Sequence, residues 1–180
     1  MAAPTADAAT VAQELQDLLR AGSLRPWNWR GRQLLPVVQG GMGVGISAGG
    51  LAGTVAGLGG VGTVSSVDLR RLHPDLMAET GHLDKEPDAR ARIEAVNREA
   101  LRREIARART LSQGRGLIAV NIMKALSAYE QHVRTALEAG ADALVVGAGL
   151  PMDLPELARD FPDTALVPIL SDARGIQLVI

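Results

Sequence analysis

The 180-residue chain contains no cysteine, which excludes disulfides, a thiolate nucleophile and any cysteine-ligated zinc or iron–sulfur centre. Aromatic residues make up only 2% of it and the formal net charge is -1. Base-stacking platforms and the electrostatic attraction needed by nucleic acid or acidic membranes are therefore both missing. No apolar run reaches the roughly 18 residues of a membrane span, and the N-terminus lacks the basic start and apolar centre of a secretion signal. A soluble cytoplasmic protein acting on a small molecule is expected, with no nucleic acid and no membrane as partner. Histidine is scarce too. His73 and His82 stand nine apart in a Pro/Gly-interrupted stretch, which matches no common ligand spacing, so no metal is expected.

Glycine, by contrast, is plentiful, with 20 residues, and it is concentrated where two β-branched runs flank a helix-length segment. Val37 and Val38 open the region, Gly40, Gly41, Gly43 and Gly45 follow at once, residues 47–58 form the helix-length run, and Val61 to Val64 close it. This is a strand, a glycine loop, a helix and a second strand: one βαβ unit. A glycine loop after a strand lets backbone N–H groups approach a phosphate or a flat ring. Gly49, Gly50 and Gly53 weaken the helix intrinsically but let it lie close to a sheet.

Further along, residues 88–111 place Ile93, Val96, Ala100, Leu101, Ile105 and Ala108 on one stripe with the arginines largely outside it, an amphipathic helix with a solvated basic face. Strands are predicted at 117–121, 143–146 and 165–170, with helices at 129–139 and 154–160 between them and a last helix beginning after Ser171. His132 falls beside the apolar positions of its helix, which points to packing rather than catalysis. Residues 65–86 read as an irregular polar loop. Residues 1–34 read as a helical extension, with Ala8, Val11, Leu15, Leu18 and Leu19 at helical spacing, and residues 35–180 as the α/β domain. Trp27 and Trp29 stand among arginines, where one of them could cap the core. The result is five strands alternating with helices, hence a parallel sheet whose ligands bind at the strands' C-terminal ends, marked by Gln39, Ser65, Asn121, Gly147 and Ser171.

Five segments in series resemble the nitronate monooxygenase family, formerly called 2-nitropropane dioxygenases, and its flavin-dependent enoyl-reductase relatives. They are Val-Gln-Gly-Gly-Met-Gly at 38–43, Gly-Gly-Val-Gly-Thr at 59–63, Val-Asn-Ile-Met at 120–123, Glu-Ala-Gly-Ala-Asp-Ala-Leu-Val-Val-Gly-Ala-Gly-Leu-Pro at 138–151 and Val-Pro-Ile-Leu-Ser at 167–171. The resemblance implies the N-terminal part, about five parallel strands, of an FMN-type TIM (β/α)8 barrel, incomplete at this length. It also implies that Gln39, Gly40, Gly41 and Met42 run along the flavin, that the amide of Asn121 binds it, and that Gly147, Ala148 and Gly149 line the substrate side. Amide side chains and exposed backbone match the carbonyl and N–H edges of a flavin. Capping a loop is the alternative role for Asn121.

Members of that family continue to a sixth strand with a Gly-Gly-His motif, supplying the usual catalytic histidine, and then to glycine loops for the FMN phosphate. Neither is among these 180 residues. The chain is thus expected to be a truncated form or one that lost the chemistry, to lack appreciable nitronate oxidation by itself, and to form a dimer or take up a complementing C-terminal half. No catalytic base is assigned. Two other classes stay open. Gly43-x-Gly45-x-x-Ala48, with Asp68 twenty residues beyond, fits a Rossmann-type NAD(P)-binding pattern, and a non-catalytic scaffold would need no site at all.

Overall fold

The computed structural model describes residues 8–23, 25–83 and 88–179. The charged run Asp84-Lys85-Glu86 before Pro87 lies outside the described residues. The elements in chain order are α1 (Ala8–Ala21), β1 (Trp27–Trp29), β2 (Arg32–Leu34), α2 (Gly49–Gly57), β3 (Val61–Ser65), α3 (Pro74–Thr80), α4 (Ala89–Ser112), β4 (Leu117–Met123), α5 (Tyr129–Glu138), β5 (Ala143–Gly147), α6 (Leu154–Leu157), β6 (Ala165–Pro168) and α7 (Ala173–Val179).

Strands β3, β4, β5 and β6 form one parallel sheet in chain order, in the registers Val61 to Leu117, Ala119 to Ala143 and Ala143 to Ala165. The expected first strand is reduced to a parallel bridge, Val38 to Val61. Two backbone bonds of 2.9 Å, from Val61 N–H to Val37 C=O and from Gln39 N–H to Val61 C=O, keep it in the sheet plane. Pro36, which has no N–H, and the glycines from 40 onward bound this segment on both sides.

The two faces of the sheet differ. Val64, Ile118, Val120, Ile122, Leu144 and Val146 point to one face and share a core with Ala52 and Ala56 of α2, Leu101 and Ile105 of α4, Val133 and Leu137 of α5, and Leu154 of α6. Each large apolar side chain buried there contributes about 1.5–3 kcal/mol. The opposite face carries Val61, Leu117, Ala119, Ala143 and Ala165, which pack against Leu34 and Trp29. The helices that connect the strands therefore lie on one side only, and β1 and β2 cover the N-terminal end of the other. Asp142, just before β5, anchors that end. Its carboxylate accepts a 2.8 Å hydrogen bond from Ile118 N–H and lies 3.3 Å from Arg32 and 3.7 Å from Arg109.

Three local expectations change. The extension is helical only to Ala21; residues 27–34 form an antiparallel hairpin, turned by Arg30 and Gly31 at positive φ, with the Asn28 side chain accepting from Gly31 N–H at 3.0 Å. The stretch after β3 is not irregular: a 3-10 turn at Leu69–Leu72 and helix α3 occupy it. Pro74 at the first helical position, followed by Asp75, was the signal. The glycines of α2 face α4, not the sheet. A Cβ on Gly49 would lie 2.3 Å from the Glu104 C=O oxygen, and one on Gly53 2.9 Å from Ala108 Cα. Contact with the sheet is made instead by Gly62 of β3, where a Cβ would lie 1.8 Å from the Ala52 C=O oxygen. Among the described residues no helix is long and apolar enough to cross a membrane.

The Ala52 backbone against Gly62 cannot yield as a flexible side chain could. Gly62→Ala is expected to cost at least about 3 kcal/mol, or roughly 6–12 °C in Tm at this chain size. Gly40→Ala, with nothing within 4 Å of the added carbon, should stay within about 0.5 kcal/mol. Thermal melts of the two variants check this, and equal melting points would contradict it.

Candidate functional site

The loop after the first strand is held by a knot of side-chain bonds. Gln39 Oε1 accepts from Thr63 N–H at 2.8 Å, and Gln39 Nε2 donates to Ser47 Oγ at 2.8 Å and to Gly40 C=O. Ser47, fully buried, also accepts from Met42 N–H at 2.8 Å, and its backbone carbonyl accepts from Ser65 N–H at 2.8 Å. Both functional groups of Gln39 are thus spent within the protein, the oxygen on β3 and the nitrogen inside the loop. Among the residues expected to run along a ligand, Gln39 shapes the loop while Gly40, Gly41 and Met42 present it; Met42 is 55% exposed.

This knot folds the glycine loop over the C-terminal end of the sheet face that has no helices. A Cβ on Gly41 would lie 2.5 Å from Asn121 Cβ, so glycine is required for the loop to reach that side chain. Asn121 pairs with Ser65 on one side and Val145 on the other. Its Nδ2 donates to Val145 C=O at 3.2 Å, and its backbone carbonyl accepts from Ser66 N–H at 3.1 Å. The side-chain oxygen makes no hydrogen bond among the described residues, leaving an acceptor half-exposed beside the Gly41 backbone.

Gly147 pairs with Met123 and so stands on the same face as Asn121, two residues nearer the C-terminal end. The Ile169 side chain lies over it, 3.1 Å from where its Cβ would be. The turn continues through Ala148 at φ 57 and Gly149 at φ 137. An open groove of about 540 Å³ runs from Ala148 and Gly149 along Ile169, Leu170 and Ser171 to Asp172 and Arg174. Gly41 therefore meets Asn121, and Gly147 stands further along the same face, while the groove takes in Ala148 and Gly149 and none of the other six residues expected at the site. Another concavity, of about 480 Å³, lies at the opposite end between Arg20, Gln33, Leu35 and Arg115, and contains none of them.

Histidine chemistry is placed elsewhere. His132, 1% exposed, has Nδ1 at 3.1 Å from Ser66 Oγ and Nε2 at 3.1 Å from Glu94 Oε2, and Asn97 Nδ2 donates to Ser66 C=O at 2.9 Å. This buried chain ties α5 to α4 and to the end of β3, as a packed histidine would. His73 Nε2 lies 3.0 Å from Glu104 Oε1. The other oxygen of that buried carboxylate accepts from Gly49 N–H at 2.6 Å, which closes the first turn of α2 and complements its dipole. Asp68 is held by Arg70 and Arg71.

One cluster at this end was not foreseen in the sequence. Lys124, directly after β4, has Nζ at 2.8 and 2.7 Å from the two carboxylate oxygens of Asp153 and 4.0 Å from the centre of the Tyr129 ring. Lysine just past a strand end, with an aspartate ahead of the next helix, was the available signal.

Comparison of the sequence with protein-family models and with curated proteins gives no match.

The hydrogen bond to His132 holds the Glu94 carboxyl below its ordinary value of 4.5, burial opposes this, and the charges of His132, Arg90 and Arg98 add to it. A carboxyl depressed in the folded state contributes stability that is complete above the unfolded value and is lost as pH falls through the folded one. Wild type should therefore lose stability on acidification below about pH 4.5 more steeply than Glu94→Gln. Urea midpoints at about pH 6, 4.5 and 3 check this; parallel profiles would show that the pair contributes nothing.

Proposed function

We propose that this chain is the first-to-fifth-strand part of an FMN-dependent α/β barrel oxidoreductase of the nitronate monooxygenase type. The observation that carries the reading is the contact of Gly41 with Asn121 at the C-terminal end of the helix-free face. Three features of the fold support it: strands neighbouring one another in chain order, connecting helices on one side, and a hairpin across the N-terminal end of the other. A doubly wound nicotinamide domain reverses its strand order and carries helices on both faces. The Gly43 to Ala48 pattern with Asp68 fits less well, because Asp68 sits at φ 48 in the turn after β3 with both carboxylate oxygens on arginines.

The residues present fit the edge of a flavin. Asn121 offers an unpaired acceptor to a ring N–H, and the exposed backbone of Gly40 and Gly41 admits a flat group without a Cβ in the way. Bound FMN would supply the redox chemistry of nitronate oxidation. Asn121 would orient the ring edge, the Gln39–Ser47 knot would fix the loop, and Gly147, Ala148 and Gly149 would bound the substrate. His132 is committed to Ser66 and Glu94 and takes no part.

FMN titration followed by flavin fluorescence tests the reading. Removing the amide in Asn121→Leu leaves polar groups unpaired and should weaken FMN by about 1–3 kcal/mol, roughly 5- to 150-fold, with melting temperature as the folding control. Absence of FMN binding by wild type would overturn the reading, and equal affinities would remove Asn121 from the site.

The same reading bears on assembly. Ala165 and Ile169 direct their N–H groups to β5, so by strand alternation Leu166 and Pro168 face an open edge; Val38 faces the other. Val37, Val38, Ile169, Ile176 and Leu178 are exposed around these edges, and α7 buries no residue. Unpaired edges flanked by apolar side chains favour association with a second copy or with a complementing polypeptide. Purified alone, the chain should dimerise at micromolar concentration, and Val38→Asp should shift it toward monomer. A wild-type monomer at about 100 μM by sedimentation equilibrium (a dimer Kd weaker than roughly 5 kcal/mol of association) would contradict this.

A further inference from the structure

The turn after β5 has an energetic difficulty of its own. Ala148 adopts φ 57, a left-handed conformation that side chains with a Cβ disfavour and that persists only where surrounding contacts determine it. Those contacts converge on Lys124. Its backbone N–H donates to Gly147 C=O at 2.7 Å, and its stem lies against Gly149, where an added Cβ would be 3.1 Å from Lys124 Cγ. Its ammonium is gripped by both oxygens of Asp153, the residue at which the segment re-enters helix. One residue past β4 therefore holds the segment between β5 and α6 along its length, by its backbone at Gly147 and by its side chain at Gly149 and Asp153.

The seat of this ion pair is built. The Tyr129 ring beneath the ammonium is 3% exposed, and its hydroxyl is buried with no hydrogen-bond partner among the described residues. Burial, and after it the Asp153 carboxylate, push the phenol well above its ordinary value, so the ring stays neutral and offers its electron-rich face to the cation. An ammonium already shared between a carboxylate and an aromatic face is poorly available to a ligand but well placed to hold two segments together.

We propose that Lys124 is the positioning residue of the candidate site: with Asp153, on the Tyr129 ring, it straps the Gly147, Ala148 and Gly149 turn to the end of β4 and so fixes the height of that turn above Asn121. The structural part stands on the geometry alone; the consequence for substrate rests on the FMN reading. In that reading the strap governs the room left for substrate and has no part in holding the flavin.

Hydrogen–deuterium exchange of the whole chain, read peptide by peptide, tests the strap without any cofactor. Lys124→Met should speed exchange across residues 148–152 about tenfold, the effect of losing one partly exposed ion pair and one cation–π contact, while the β3 and β4 peptides exchange as in wild type. Lys124→Arg should restore protection, since it keeps both charge and ring contact. Should Lys124→Met fail to fold, Asp153→Asn removes the grip from the other side and should give the same local pattern. Unchanged exchange at 148–152 in a folded variant, or equal acceleration throughout the chain, would overturn the proposal. A second arm uses FMN-loaded protein and an alkyl nitronate, followed by the flavin absorption spectrum: Lys124→Met should weaken nitronate about tenfold and leave FMN affinity unchanged. Loss of FMN affinity instead would refute the assigned division of roles. Wild type that takes no FMN would defeat the flavin reading while the exchange result still decides on the strap.

Discussion

The structure depends on one constraint, the passage of α2 between α4 and β3 at backbone distance. Gly49 and Gly53 on one flank of the helix meet Glu104 and Ala108, while Ala52 on another flank meets Gly62. No side chain larger than a hydrogen fits at these points, so the cohesion comes from backbone contact and from the larger residues packed around the crossing. The position of α2 also fixes where its first turn opens, because Gly49 N–H is closed by the buried Glu104 carboxylate from α4. The loop from Gln39 to Ala48 must then span from the sheet edge to that turn.

That span explains the use of Gln39 and Ser47. A loop rich in glycine has a large conformational entropy to lose, and the Gln39 amide and Ser47 hydroxyl offset this by engaging β3, the loop and each other. The exposed residues Gly40, Gly41 and Met42 are consequently presented by a fixed scaffold, and Gly41 lands on Asn121. At the other side of the same sheet face, the turn from Gly147 is fixed by different means, an ion pair on an aromatic ring. Two loops of little intrinsic order thus gain their shape from a few polar side chains, Gln39 and Ser47 within the first and Lys124 beside the second.

What the sequence disclosed follows from how its residues are buried. Strands β4 and β5 are apolar on both faces, and α4 carries an unbroken stripe, so their positions were legible to within a few residues. The hairpin was not, because Trp27, Asn28, Arg30, Arg32 and Gln33 obscure any two-residue alternation and the buried partner, Leu34, is alone at its end. The direction of the α2 glycines depends on which neighbour arrives on which flank, a tertiary fact with no local trace. At the site, the strand-end positions of Asn121 and Gly147 could be read from the chain, whereas the inward commitment of the Gln39 amide could not: its donor and acceptor partners, Thr63 and Ser47, are 24 and 8 residues away. Lys124 was hidden for the same reason, its carboxylate partner being 29 residues off.

Pro168 has a consequence for how selective the β6 edge is. It stands at an outward position of that strand, where any other residue would offer an N–H; the edge therefore presents carbonyl acceptors with a donor missing between them. A strand laid along it leaves one of its own carbonyls facing the proline without a donor. With that donor missing, the edge is a poorer template for indiscriminate strand addition than an unbroken row of donors and acceptors would be.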